Sequence, residues 1–204
     1  SVEMIGCVGD DAFGPTILEN LRAQGVGTDH VRVVEGAASG TAMIIVDERG
    51  ENSIVVAPGA NALVTVEDVQ HARETIAGAR YLVMQFEIPL PVVCAAIEMA
   101  EELQVPVILN AAPAHGIDAD ILGRVPYVIV NEHEAEFLTS IQIVDLDSAR
   151  LAARAMQTIG IAHPILTLGG DGALLATPLR TIHVPARRVE VVDTTAAGDA
   201  FAGG

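Results

Sequence analysis

Val191-Val192-Asp193-Thr194-Thr195-Ala196-Ala197-Gly198-Asp199-Ala200-Phe201 carries the sharpest pattern in the chain. A strand closes, a run of small residues turns the backbone, and Asp199 lies on the first turn of the helix that follows. Small residues let a backbone approach a phosphate closely, and the unpaired N–H groups at a helix start attract anions. The stretch reads as an anion hole, Ala196-Ala197-Gly198, followed by a carboxylate able to accept the proton of an attacking hydroxyl. Taken alone, Asp199 would equally well complement the positive end of the helix dipole.

The alternation of strand and helix runs back through most of the chain. Apolar runs at 81–85, 105–109, 127–130 and 164–168 read as strands, and 66–77, 92–103, 118–122, 132–138 and 148–159 as helices. Thr65 with Asp68 three residues later forms a capping box that opens the first of these helices. This spacing implies an α/β fold: a mostly parallel sheet with right-handed crossovers, sandwiched by helices. Residues 172–176 and 181–185 read as a hairpin at the sheet edge, and 189–192 as one more strand ending at Asp193. Nearer the start, 2–9 reads as a strand and 11–24 as a helix, with Ile17, Leu18 and Leu21 at helical spacing and Gly25 as its stop. The β-branched runs 31–34, 41–46 and 52–57 read as a small antiparallel segment, the last two joined by the turn Asp47-Glu48-Arg49-Gly50-Glu51. The expected division is an α/β core of 1–33 and 58–204 with a β lid at 34–57. In such a sheet, ligands bind beyond the carboxyl ends of the strands. Glu87, Asn110, Asn131, Thr167-Leu168-Gly169 and Asp193 all follow apolar strands and are expected on one rim.

Composition narrows the partners. Half of the 204 residues are hydrophobic and 3% are aromatic, so the core is aliphatic, as a buried parallel sheet requires. The formal net charge of −16 disfavours nucleic acid and anionic membranes as partners. A phosphate ligand is still allowed, since backbone amides and bound cations can hold it. All 11 basic residues are Arg, so neither the G-x-x-x-x-G-K-[ST] phosphate loop nor a Schiff-base lysine exists. Cys7 and Cys94 make no disulfide framework and no zinc quartet, which fits a reducing cytosol. No basic stretch followed by an apolar run opens the chain, and no apolar stretch approaches membrane-spanning length, so a cytoplasmic protein is expected.

Set beside known patterns, Asp193-Thr194-Thr195-Ala196-Ala197-Gly198-Asp199 resembles the D-T-x-[GA]-[GA]-G-D signature of the ribokinase (pfkB) family of carbohydrate kinases. Three further segments resemble that family in the same order: Val8-Gly9-Asp10-Asp11-Ala12-Phe13-Gly14, Asn131-Glu132-His133-Glu134, and Thr167-Leu168-Gly169-Gly170-Asp171-Gly172. Glu51 to Asn61 is similar to the ribokinase branch in particular. The resemblance implies ATP-dependent phosphorylation of the primary 5-hydroxyl of ribose. Asp199 would be the general base, with the anion hole on the amides of Ala197 and Gly198 and Ala196 nearby. Glu87 would hydrogen-bond the sugar. Thr167, Leu168, Gly169, Gly170, Asp171 and Gly172 would cradle the nucleotide. Asn131 and Glu134 would sit near the phosphates and the water shell of Mg²⁺; the same two residues also read as an ordinary capped helix start. Asp193 and Thr195 would bind a monovalent cation, typically K⁺. The lid would cover the sugar and pair two copies into a homodimer.

Other chemistries lack their signatures. His133-Glu134-Ala135-Glu136-Phe137 is not H-E-x-x-H, the six His form no ligand cluster, and no G-x-G-x-x-G opens a helix after a strand. The alternatives within reach are a fructose-type or adenosine-type kinase, or a sugar- and nucleotide-binding relative without catalysis. The opening residues read as a strand already inside a fold and the closing ones as a helix that has barely begun, so continuation at both ends is expected. The family's N-terminal sugar-binding Asp, its G-G-K-G-A-N segment and its C-terminal adenine contacts would lie there.

Overall fold

Two parallel strands cannot be joined by a tight turn; they need a crossover. In the computed structural model, which describes residues 1–46, 52–189 and 195–204, the chain opens with this arrangement. Strand β1 (Val2–Gly9) runs parallel to β2 (Val26–Val34), and helix α1 (Phe13–Ala23) makes the crossover. The chain divides into two compact units: Ser1–Gly78 with Glu87–Met99, and Ala79–Phe86 with Ala100–Gly204.

The first unit holds β1, α1 and β2, then the hairpin β3 (Thr41–Val46) and β4 (Asn52–Ala57), a 3₁₀ turn at Gly59–Leu63, and helices α2 (Val66–His71) and α3 (Arg73–Ala77). Most of α4 (Leu90–Glu102) belongs to it as well. The β3–β4 pair is antiparallel, as expected of the lid, and the turn predicted at 47–51 lies outside the described residues. Residues 31–34 correct the sequence reading. They are the end of a nine-residue strand paired in parallel with β1, not part of the antiparallel segment. The single helix predicted at 66–77 is two, because the amide of buried Ala72 bonds three residues back to the Val69 carbonyl and tightens the turn between them.

A buried ion pair ties this unit together. Asp68 is 8% exposed, and its carboxylate receives Arg32 Nε at 2.6 Å and Nη2 at 2.8 Å. The Thr65 amide and hydroxyl donate to the same carboxylate at 2.8 and 3.0 Å, and the second Arg32 Nη2 bond goes to the Leu63 carbonyl. One side chain thus joins β2, the 3₁₀ turn and the start of α2. The Arg32 guanidinium holds the Asp68 carboxyl well below the usual carboxylate range. The thiol of Cys7, buried beside it, is pushed up to about 11, first by burial and then by the Asp68 charge. That keeps it a packing residue, not a nucleophile.

The second unit contains β5 (Leu82–Met84), β6 (Val107–Asn110), α5 (Ala119–Leu122), β7 (Tyr127–Val130), α6 (Glu132–Thr139), α7 (Leu146–Thr158), β8 (His163–Thr167), a 3₁₀ turn at Gly169–Asp171, β9 (Ala173–Ala176), β10 (Thr181–Val184) and α8 (Ala197–Gly203). Its sheet has the order β10-β9-β8-β7-β6-β5, parallel from β5 to β8 and antiparallel at the predicted edge hairpin β9–β10. Leu109, Val128, Val130, Leu166 and Leu174 are fully buried, each worth about 1.5–3 kcal/mol. Helix α7 buries Ala149, Ala152, Ala153 and Met156, the i, i+3, i+4, i+7 stripe of an amphipathic helix. The strand predicted from 105 starts at Val107 instead, because the Val105 amide is spent on the Ala100 carbonyl in closing α4. Of the strand predicted at 189–192, Val189 is not in a strand, and 190–194 lie outside the described residues. Among the described residues no helix is long and apolar enough to cross a membrane.

Asp68→Ala strands Arg32, which is 41% exposed and so keeps part of its hydration. The expected loss is about 2–3 kcal/mol, read by denaturant unfolding. The Asp68 pKa is depressed in the fold, so its contribution is present above the unfolded value of about 4 and is lost as pH falls below it. The variant should therefore unfold with a shallower acid dependence than the parent.

Candidate active site

Parallel pairing sends β6, β7 and β8 out of the sheet on the same side. Asn110 pairs with Ile129, Val130 with Leu166, and Thr167 with Ala173, so Asn110, Asn131 and Thr167 leave adjacent strands along one edge. This part of the predicted rim is realised. Glu87 belongs to the first unit, where it is exposed, and Asp193 lies outside the described residues.

Asn131 and Glu134 form a reciprocal capping box. The Glu134 amide donates to Asn131 Oδ1 at 2.9 Å, and the Asn131 amide donates to Glu134 Oε2 at 2.8 Å. The helix-start role read from the sequence is thus in place. Glu134 is only 7% exposed, and burial pushes its carboxyl above the ordinary range, against the pull of the Asn131 amide and the neighbouring His133 charge.

The segment 167–172 folds on itself. Thr167 Oγ1 donates to the Val130 carbonyl at 3.3 Å, the Leu168 amide to the Gly172 carbonyl at 2.8 Å, and the Asp171 amide back to the Leu168 carbonyl at 2.9 Å. Gly172 has φ +96°, and a Cβ there would strike the Val184 carbonyl oxygen and lie 2.6 Å from the Ala186 nitrogen. Only glycine lets this loop lie against β10. At Gly169 and Gly170 the opposite holds: a Cβ would meet nothing within 4 Å, so a ligand can reach the backbone. His183 Nε2 lies 2.6 Å from the Asp171 carbonyl and steadies the turn. A hollow of about 340 Å³ opens beside it, bounded by Leu168, Asp171, His183, Glu132 and Asp145; the sequence reading did not anticipate it. A larger hollow of about 640 Å³ in the first unit, between α1 and β2, contains no predicted site residue.

At α8 the small residues form the helix start read from the sequence. Ala196 caps the helix in the left-handed conformation, φ +59°, with no side-chain cap, and the Ala200 amide bonds to its carbonyl at 2.9 Å. Ala197, Gly198 and Asp199 form the first turn, with Asp199 exposed, and a Cβ at Gly198 would meet nothing within 4 Å. The first amides of the helix and the Asp199 carboxylate therefore belong to one turn. Thr195 is exposed just before it. Among the described residues no three His, Cys, Asp or Glu side chains gather as a metal cage.

One cluster was missed. The carboxylate of Asp11, in the Gly9-Asp10-Asp11-Ala12-Phe13-Gly14 segment, binds Ser39 28 residues away. The spacing of the glycines was visible in the sequence; their partner was not.

Comparison with known proteins shows the family and the fold. Residues 1–204 match the family described as pfkB family carbohydrate kinase. The ribokinase of Schizosaccharomyces pombe is 39% identical over 206 residues, covering 99% of this chain and 65% of its own. The deoxyribokinase of Salmonella typhi is 38% identical over 203 residues, covering 99% of this chain and 66% of its own. The chain thus spans about two thirds of the length of these curated relatives. The solved structure of Arabidopsis thaliana ribokinase complexed with ribose and ATP superposes with a TM-score of 0.86 at 28% identity, covering 98% of this chain and 66% of that one.

Gly172→Ala is expected to cost about 1–3 kcal/mol of backbone strain plus the overlap with Val184. Gly170→Ala is expected to leave the thermal midpoint within a degree or so of the parent, because its methyl enters open space. Paired melting curves check both.

Proposed function

The chain belongs to the pfkB family of carbohydrate kinases, and on that footing we propose that it transfers the γ-phosphoryl group of ATP to the 5-hydroxyl of D-ribose. The products are ribose 5-phosphate and ADP. The observation that carries the reading is the first turn of α8, where Ala197, Gly198 and Asp199 are all exposed at a helix start with no side-chain cap. The sugar oxygen attacks the γ-phosphorus as the bond to the ADP oxygen breaks. Asp199 takes the hydroxyl proton, and the amides hold the phosphoryl oxygens while charge spreads over them. Ala196, left-handed and uncapped, aims those amides.

The remaining roles are those that the family resemblance implies. Thr167 to Gly172 cradle the nucleotide, with Gly169 and Gly170 giving it access to the backbone. Asn131 and Glu134 would hold Mg²⁺ through its water shell, and the chemistry supplied there would be charge neutralisation of the phosphates. Asp193 and Thr195 would hold K⁺, and Glu87 would orient the sugar through its hydroxyls.

The hairpin β3–β4 acts as the lid. Met43, Ile45 and Val55 are exposed on one of its faces and Ile44, Ile54 and Val56 on the other. One apolar face is available to cover the acceptor and exclude water, and the other to pair with a second copy as a homodimer. The enzyme works in the cytoplasm, where ATP is held and thiols stay reduced. The near-equal identity to a ribokinase and a deoxyribokinase keeps 2-deoxyribose as a second acceptor.

ADP release with Mg-ATP and K⁺ across ribose, deoxyribose, fructose and adenosine should favour a pentose. Asp199→Asn should lower kcat by about 10²- to 10⁴-fold with ATP binding retained. Near-normal turnover in a folded Asp199→Asn variant would remove Asp199 from the role of base.

A further inference from the structure

Within the first unit the hairpin β3–β4 is joined to its neighbours by two roots, residues 35–40 before β3 and 58–61 after β4, and both are tied down. Ser39 is 2% exposed. Its amide donates to Asp11 Oδ2 at 2.8 Å and its hydroxyl to Asp11 Oδ1, also at 2.8 Å. The same hydroxyl accepts the Gly9 amide at 3.0 Å. Asp11 Oδ1 also accepts the amides of Phe13 and Gly14, at 3.1 and 3.0 Å, at the start of α1. One carboxylate therefore joins the helix start to the first root, and one hydroxyl joins that root to the last residue of β1. The neighbouring Asp10 adds the Gly36 amide at 2.9 Å.

The second root is fastened to the first. The Ala60 amide donates to the Ala38 carbonyl at 2.8 Å. A Cβ on Gly59, whose φ is +51°, would lie 2.5 Å from that same carbonyl oxygen, and one on Gly40 would lie 2.9 Å from the Pro58 carbonyl oxygen. A Cβ on Gly9 would lie 2.6 Å from the Ala38 carbonyl carbon. Glycines stand where the two roots and the end of β1 pack backbone against backbone.

We propose that Asp11 and Ser39 are positioning residues that lock both roots of the β3–β4 lid to the end of β1 and the start of α1, fixing where the lid descends over the acceptor. Its functional half rests on the sugar-kinase reading above. The role proposed for each is exercised through the lid. Ionised Asp11 is well matched to this task, because it offers only acceptors to four donors, and those bonds hold its carboxyl below the ordinary range. Asparagine would keep Oδ1 but turn an N–H toward the Ser39 amide. Alanine at 39 would leave the Gly9 amide without its acceptor.

Ser39→Ala and Asp11→Asn, made in the whole protein, test this with D-ribose as acceptor. Loss of alignment by an ångström costs on the order of 10²-fold in productive turnover, so kcat/KM for ribose should fall roughly 10- to 100-fold. The KM for ATP should stay within about twofold of the parent, and more ATP should be hydrolysed per ribose phosphorylated, since a misplaced lid admits water. Unchanged ribose kinetics and coupling in both variants would overturn the proposal. So would equal losses for ribose and ATP accompanied by a lower melting point, which mark general destabilisation. Hydrogen exchange separates this proposal from the proposed function. If the parent phosphorylates no sugar, faster exchange at Ala60 and through β3–β4 in Ser39→Ala still supports the clamp, and unchanged exchange there overturns it.

Discussion

Parallel pairing of β6, β7 and β8 is the constraint on which the second unit's candidate site depends. A parallel strand must return through a crossover before it can pair again, so every strand leaves the sheet on the same side. The register turns three residues far apart in sequence, Asn110, Asn131 and Thr167, into neighbours along one edge. A slip of one residue would carry each strand's buried set, Leu109, Val128, Val130 and Leu166, to the other face. The aliphatic core fixes the register, and the register fixes the edge.

What stands on that edge is mostly backbone. The chain has no lysine and carries an excess of 16 negative charges, yet phosphate chemistry is open to it, since backbone amides can bind anions without basic side chains. The glycines divide into two kinds. Gly169, Gly170 and Gly198 border open space and leave the backbone reachable, whereas Gly172, Gly9 and Gly14 are places where another backbone already fills the room a side chain would need. The second kind holds the frame together, because a side chain at any of those positions would push two backbones apart.

The alternating pattern made the α/β architecture legible, along with the edge hairpin and the capping boxes at Thr65–Asp68 and Asn131–Glu134. Each depends on residues close in sequence, where period and spacing carry the signal. The reading failed where distant residues decide. Residues 31–34 have the β-branched character of the lid strands, and only their partner, β1, shows them to be parallel. Asp68 announced a helix start but not its Arg32 partner 36 residues away, and Asp11 gave no sign of Ser39. Small residues before Asp199 pointed to an open helix start, which the left-handed Ala196 provides.

The sheet of the second unit has one more property: its strands lie side by side in the order in which they occur in the chain, from β5 to β10. Each new strand needs only the one before it. Loop-closure entropy is therefore met in small instalments, and contact order within the sheet stays low. As the polypeptide emerges from the ribosome, each strand–helix segment can dock on an edge already built, without waiting for distant chain. The newest strand is the edge on which the next one pairs, and among the described residues the antiparallel hairpin β9–β10 is the last addition to that edge.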